Sequence, residues 1–349
     1  MKNAFKKAKK AVSKAGQHIH WLTSEGGSGS ASRHAASERM FISTEEPEEF
    51  QTLSTHRPIL ILDSQLVLRT QEEAKALRLL NQKTYALTKC FDEDLLVDTG
   101  MRKEFNEVFE AIGWSDFAKI PEGGIMLLTK EFLMMLRTDT QRDGTYVWFR
   151  LFNTNYELTL CQFNNLLDFS PQCTLSEDIA GFSLAEFWQE LVGPDAPRKK
   201  SIAHIRHPTL WFLARWLTMV VFPRDDTRCV TIEDVRCLYA MWKKIKFAPT
   251  LSLVRRWQEL AQSGHIISIM SFVTRIANGL GIIPNATIPF MPNDPTLVVK
   301  ESHFIHAHFL RKDINGKYIM TFRGCDFELP LPAPWSPSQN QEETVSLES

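Results

Sequence analysis

Tyr146 to Phe169 reads YVWFRLFNTNYELTLCQFNNLLDF, and its pattern changes from one period to another partway along. Val147, Phe149 and Leu151 alternate with Trp148, Arg150 and Phe152, the two-residue period of a strand. Asn153-Thr154-Asn155 supplies turn residues, and Tyr156-Glu157-Leu158 returns as the second strand of a hairpin. Thr159, followed three residues later by Gln162, has the form of a capping box, with Leu160, Phe163, Leu166 and Leu167 behind it at helical spacing. A hairpin that runs directly into an amphipathic helix predicts an α+β fold.

Outward from this unit, helix signals dominate. Upstream, the apolar run ILILDSQLVL (Ile59 to Leu68) fits strand or helix, and a helix through Lys89 follows. Phe105, Val108, Phe109 and Ile112 then mark an amphipathic helix stopped by Gly113. Downstream, Ser183 with Glu186 repeats the capping signal. Pro208 opens a helix that is apolar nearly all round, through Leu210, Trp211, Phe212, Leu213, Trp216 and Leu217. Thr231 caps the next, whose first turn holds Glu233 and Asp234 and whose end holds Lys243, Lys244 and Lys246, complementing the helix dipole. A third buries Leu253, Val254, Trp257 and Leu260, and a fourth runs from Ile266 to Leu280. His303 to Leu310 and Lys317 to Phe322 flank Asp313-Ile314-Asn315-Gly316, a turn signal for a second hairpin.

The expected architecture is mainly helical α+β: a basic arm and flexible linker (1–56), a small acidic α+β domain (57–196), a basic helical domain ending in a β-hairpin (197–330) and a disordered tail (331–349). Charge follows these divisions. Residues 197–275 hold 14 Lys/Arg against 5 Asp/Glu, residues 41–196 hold 13 against 26, and the first 40 carry a net of +6, in a chain whose total is −1. A one-signed surface steers the opposite charge, so this asymmetry points to a polyanion or an acidic partner. The candidate nucleic-acid contacts are Lys6, Lys7, Lys9, Lys10 and Lys14 of the arm with Arg198, Lys199, Lys200, Lys243, Lys244, Lys246, Arg255 and Arg256. RNA or DNA, bound without sequence preference, and a second copy of the chain are the expected partners.

Other classes find less support. The longest apolar runs are broken by Arg215 and Arg275, so a membrane span is not expected. The N-terminus lacks an apolar h-region and the six cysteines are scattered, which favours an intracellular setting, nucleus or cytoplasm, with reduced thiols. Leu95-Leu96-Val97-Asp98-Thr99-Gly100 resembles the active-site strand of a retroviral-type aspartic protease, which pairs two such carboxylates across a dimer. Met101-Arg102-Lys103-Glu104 leads into a helix instead of a tight loop, so Asp98 or Thr99 near a helix start is the expected reading. Strand alternation would separate His303 from His306 and His308, leaving no metal set. Phosphate loops, dinucleotide fingerprints, HExxH, GxSxG and zinc-knuckle spacings are all missing from the sequence, and no cofactor or small-molecule substrate is indicated.

Phe149 to Phe169, EAIGWSDF (Glu110 to Phe117) and IRHPTLWFLARWL (Ile205 to Leu217), followed by Phe222-Pro223-Arg224 and LYAMW (Leu238 to Trp242), carry a family resemblance. Together they resemble the first-open-reading-frame protein of Athila-type plant retrotransposons of the gypsy class, in its C-terminal domain family. The resemblance spans Thr84 to Pro334, including GHIISIMSFVTRIANGLGI and Phe327-Glu328-Leu329-Pro330. It is a pattern of apolar and aromatic positions that brings no catalytic residue with it. It implies a non-enzymatic, gag-like or accessory product acting in particle assembly or handling of element RNA. The rival readings are a regulatory module docking an acidic protein and, last, the aspartic protease.

Overall fold

The computed structural model describes residues 63–142, 144–194, 199–283, 291, 298–322 and 325–329. All of them fall within one compact unit, Arg39–Ser349. The expected arm and linker (1–56) and tail (331–349) lie outside the described residues. The fold is mainly helical α+β with small sheets, as the change of period in the central stretch requires.

Helix α1 (Gln71–Leu80), strand β1 (Cys90–Phe91) and helices α2 (Glu93–Asp98), α3 (Arg102–Ile112) and α4 (Met126–Met135) precede the central sheet. The Thr70 hydroxyl accepts the Glu73 amide and so starts α1. Gly113 ends α3 at φ 79°. A Cβ at Gly113 would lie 2.7 Å from Ser170 Cβ and 2.8 Å from Cys173 Sγ, so both space and backbone angle demand glycine. The protease-like segment is helical: Asp92 caps α2 and Asp98 closes it. The expectation that Asp98 or Thr99 starts a helix is thereby reversed, because Thr99 donates its hydroxyl back to the Leu95 carbonyl at 2.6 Å and forms the C-cap.

Strands β2 (Arg137–Gln141), β3 (Gly144–Leu151) and β4 (Thr154–Thr159) form an antiparallel sheet in that order. Leu151 pairs with Thr154, so the turn is Phe152-Asn153, earlier than the turn residues in the sequence suggest. Both residues have positive φ, 51° and 60°, which matches the twist of a two-residue hairpin. Phe152 is held there because its side chain is buried and the Glu131 carboxylate accepts the Asn153 N–H at 2.7 Å. The capping box of Thr159 and Gln162 is formed and opens α5 (Leu160–Leu166).

Val147, Phe149 and Leu151 are buried, with the Phe149 ring 5.2 Å from Phe132 of α4 and 5.8 Å from Phe163 of α5. Arg150 points the other way along the strand and is buried too. Its Nη2 donates to Glu73 of α1 at 3.0 Å, and its Nε lies 3.5 Å from Glu131, whose side chain is also fully enclosed. Burial pushes the Glu131 carboxyl up from its ordinary pKa, opposed by the Asn153 N–H and by Arg150.

Helices α6 (Leu184–Val192), α7 (Pro208–Trp216), α8 (Ile232–Lys243), α9 (Thr250–Gln262) and α10 (Met270–Gly279) follow, with a π-turn over Leu217–Val221. Helix α7 is buried nearly all round, as predicted. Trp257 of α9 lies 6.0 Å from Phe132, 6.3 Å from Phe163 and 5.9 Å from Phe272 of α10, so one indole joins the hairpin core to the later helices. The buried apolar residues form a continuous cluster from Leu66 to Leu329.

Strand β5 (Val298–Val299) pairs in parallel with β1. Next comes α11 (Glu301–His306), where alternation predicted a strand. Tertiary packing decides this: Phe304 sits 5.1 Å from Phe212 and 5.9 Å from Trp211, and a helical turn delivers it there. The expected hairpin is formed by β6 (Leu310–Lys312) and β7 (Tyr318–Phe322), with β8 (Cys325–Glu328) adding a third strand. Asp313 Oδ1 accepts the amides of Asn315 and Lys317, both at 2.8 Å, closing the turn.

His207 N-caps α7. Its Nδ1 accepts the Leu210 amide at 3.3 Å, with Pro208 in the first turn. This role needs an unprotonated Nδ1, and burial pushes the imidazole pKa down to about 3. The folded value lies below that of the unfolded chain, so the unfolded state takes up the extra proton and stability falls as pH drops from about 6.5 toward 3. About 2 kcal/mol is expected to be lost through this group between pH 7.5 and pH 5. Denaturant titrations of wild type and His207→Asn at both pH values check it. Asparagine keeps an acceptor but takes up no proton, so the variant is expected to show the smaller pH difference.

Candidate nucleic-acid interface

Lys6, Lys7, Lys9, Lys10, Lys14 and Arg198 lie outside the described residues. The other candidates divide into two groups. Lys243 Nζ lies 3.4 Å from Glu190 at the end of α6, and Arg255 Nη1 lies 2.8 Å from Glu177. Arg256 pairs with Glu259 at 3.0 Å and donates to the Pro223 carbonyl at 2.8 Å, while Lys246 donates to the Gln172 side chain. Glu177, Glu190 and Gln172 all come from the acidic stretch preceding residue 197. The charge segregation seen along the chain is therefore partly closed within one molecule. Lys244 is exposed at the left-handed C-cap of α8, φ 54°, and carries no ion pair among the described residues.

Lys199 is exposed and Lys200 half-buried, and neither has a carboxylate in ion-pair range among the described residues. They enter a short antiparallel bridge, Ser201 opposite Cys229, in which the Ile202 amide donates to the Arg228 carbonyl at 2.9 Å and the Val230 amide to the Lys200 carbonyl at 3.4 Å. The bridge places Arg228 beside them. Arg215 of α7 reaches the same loop, donating to Thr227 Oγ1 at 2.8 Å. Neither Arg215 nor Arg228 stands in a basic run, so no local pattern signals their grouping with Lys199 and Lys200.

Arg224 and Arg256 are more enclosed, while Arg255 beside them is exposed. A cavity of about 230 Å³ is lined by Arg224, Arg255 and Arg256, but also by Glu233 and Glu259. Arg224 is paired with the fully buried Asp234, whose carboxyl burial pushes up and Arg224 pulls back. The cavity is thus of mixed charge. Among the described residues no group of three or more His, Cys, Asp or Glu could hold a metal ion, and no helix is long and apolar enough to cross a membrane. Cys90, Cys161, Cys173, Cys229 and Cys237 are free thiols.

Hairpin-plus-helix core, buried ionic clusters and a loop-borne basic surface define a mainly helical α+β protein organised around packing and charge. The model of the ATHILA ORF-1 family matches residues 34–245, and the chain belongs to that family of Athila-type retrotransposon first-open-reading-frame proteins. Comparison with curated proteins and with solved structures gives no match.

Proposed function

We propose that the chain is a non-enzymatic, gag-like retrotransposon protein of the nucleus or cytoplasm that binds nucleic acid through phosphate contacts and self-associates. The observation that supports this reading is the surplus of cation over carboxylate in residues 197–275, 14 against 5, beside an arm of net +6. Internal pairs hold part of that surplus, and Lys199, Lys200 and Lys244 stay clear of it. The helical setting of Asp98 counts against the protease alternative, because an aspartic dyad is built on strand-borne loops facing each other across a dimer.

Filter binding of single-stranded RNA over a range of salt concentrations tests the reading. Affinity is expected to fall linearly on logarithmic axes as counterions compete for the phosphates, with a shallower slope after deletion of residues 1–16. Binding that is undetectable at low salt, or a flat profile, would reject it. A discrete complex with an acidic protein that survives nuclease would favour the regulatory-module alternative.

A further inference from the structure

The geometry points to a phosphate-contacting surface made of Lys199, Lys200, Arg215 and Arg228, on which the folded part of the chain holds the backbone of single-stranded RNA. This rests on the nucleic-acid reading above and gives it a place. Four cations from three separate segments converge on one loop pair, tied by the Ser201–Cys229 bridge and by the Arg215–Thr227 hydrogen bond. A single carboxylate answers them in ion-pair range among the described residues, Asp226 at 3.1 Å from Arg228.

Arg215 is the unusual member. Its guanidinium lies 5.3 Å from the Trp211 ring and 4.9 Å from the Phe309 ring, and its Nε is buried with no hydrogen-bond partner. No carboxylate is within ion-pair distance of it among the described residues. Burial lowers its pKa, the Arg228 charge lowers it further, and Asp226 opposes both. A cation held against its own solvation and against a like charge, by two rings, costs stability without an evident packing gain. An arriving phosphate would offset that cost, and a planar guanidinium fixed in orientation suits phosphate oxygens better than a free lysine does.

Two observations favour RNA over an acidic protein. The large apolar side chains left exposed among the described residues include none from residues 199–230, the nearest along the chain being Ile232, so the described part of this surface lacks the apolar centre of a protein interface. Lys199 and Arg228 are also exposed, placing charge where a flexible backbone of regularly spaced phosphates can reach it.

The test compares two triple variants of the full chain that lose the same charge: Lys199→Gln/Lys200→Gln/Arg228→Gln, and Lys243→Gln/Lys246→Gln/Arg255→Gln. Anisotropy of a labelled oligouridine at several salt concentrations is the readout, with circular dichroism as the folding control. The first triple is expected to bind about tenfold more weakly at low salt, with a salt slope shallower by about 2, and the second to stay within about twofold of wild type. Equal weakening by both would overturn the inference and leave general charge attraction standing. A wild type that binds no RNA would remove the nucleic-acid reading itself. Should the first triple lose its fold, the double variant Lys199→Gln/Lys200→Gln carries the test, with a slope change of about 1. Poly-glutamate bound as tightly as RNA and lost equally in the first triple would overturn the inference in favour of an acidic protein.

Discussion

Arg150→Met is expected to lower the unfolding free energy by about 3–5 kcal/mol, the range for removing one partner from a buried ion cluster. The wild-type guanidinium faces two carboxylates, Glu73 at 3.0 Å and Glu131 at 3.5 Å, all three side chains being nearly inaccessible. Methionine fills comparable space but takes the paired guanidinium from both acids, leaving Glu131 only the weaker influence of Arg69. The Glu131 carboxyl, already raised by burial, would rise further. An acid with a raised folded pKa binds more protons folded than unfolded, so its destabilising effect appears as pH rises through that window. The deficit of the variant should accordingly be larger at pH 8 than at pH 5, which urea titrations at the two values would read. Adding Glu131→Gln to Arg150→Met should recover part of the loss, since the amide oxygen can still accept the Asn153 N–H while one of the two orphaned charges is gone. A single-variant loss below about 1 kcal/mol would mean that the cluster is not formed as described.

Arg150 also marks where sequence reading stops. Alternation in β3 set Arg150 with Trp148 on the face opposite Phe149, which is correct, but a two-residue period says nothing of what covers that second face. Glu73, far upstream, covers it. The capping box at Thr159, the cap at Thr231 and the Asp313 turn were legible because residues three or four apart decide them. The helix at Glu301–His306 was not, because the packing of Phe304 on Trp211 and Phe212 depends on a helix nearly a hundred positions earlier. The candidate interface shows the same limit. Lys243 and Arg255 stood out as basic runs on helix faces, yet Glu190 and Glu177 meet them in space. Arg215 and Arg228 are isolated in sequence, and a bridge between loops together with the Arg215–Thr227 hydrogen bond gathers them with Lys199 and Lys200.

Arg275→Leu is expected to cost a comparable amount, about 3–5 kcal/mol, for a different reason. In the sequence this arginine interrupts an apolar run; in the fold its side chain is 4% exposed and serves as a polar staple. Nε and Nη2 grip the Glu122 carboxylate at 2.8 and 3.0 Å. Nη1 donates to the carbonyls of Phe117 at 3.0 Å and Leu167 at 3.3 Å, and Nη2 also reaches the Lys119 carbonyl. The segment after α3 and the C-terminal end of α5 are thereby fastened to α10. Phe117 depends on this closure, its ring stacked 4.0 Å from Phe169 and 5.2 Å from Phe272. Leucine would leave Glu122 and three carbonyls without their donors while matching the apolar neighbours well, so the loss isolates the polar part of the contact. Arg275→Lys should recover little, because an ammonium at the end of a flexible stem cannot reproduce the planar fork that serves a carboxylate and several carbonyls together. Chemical denaturation of Arg275→Leu, Arg275→Lys and the Arg275→Leu/Glu122→Gln pair would separate the contributions, with the pair losing less than the two single changes added. A lysine variant as stable as wild type would show that positive charge alone, not the geometry of the guanidinium, closes this part of the core.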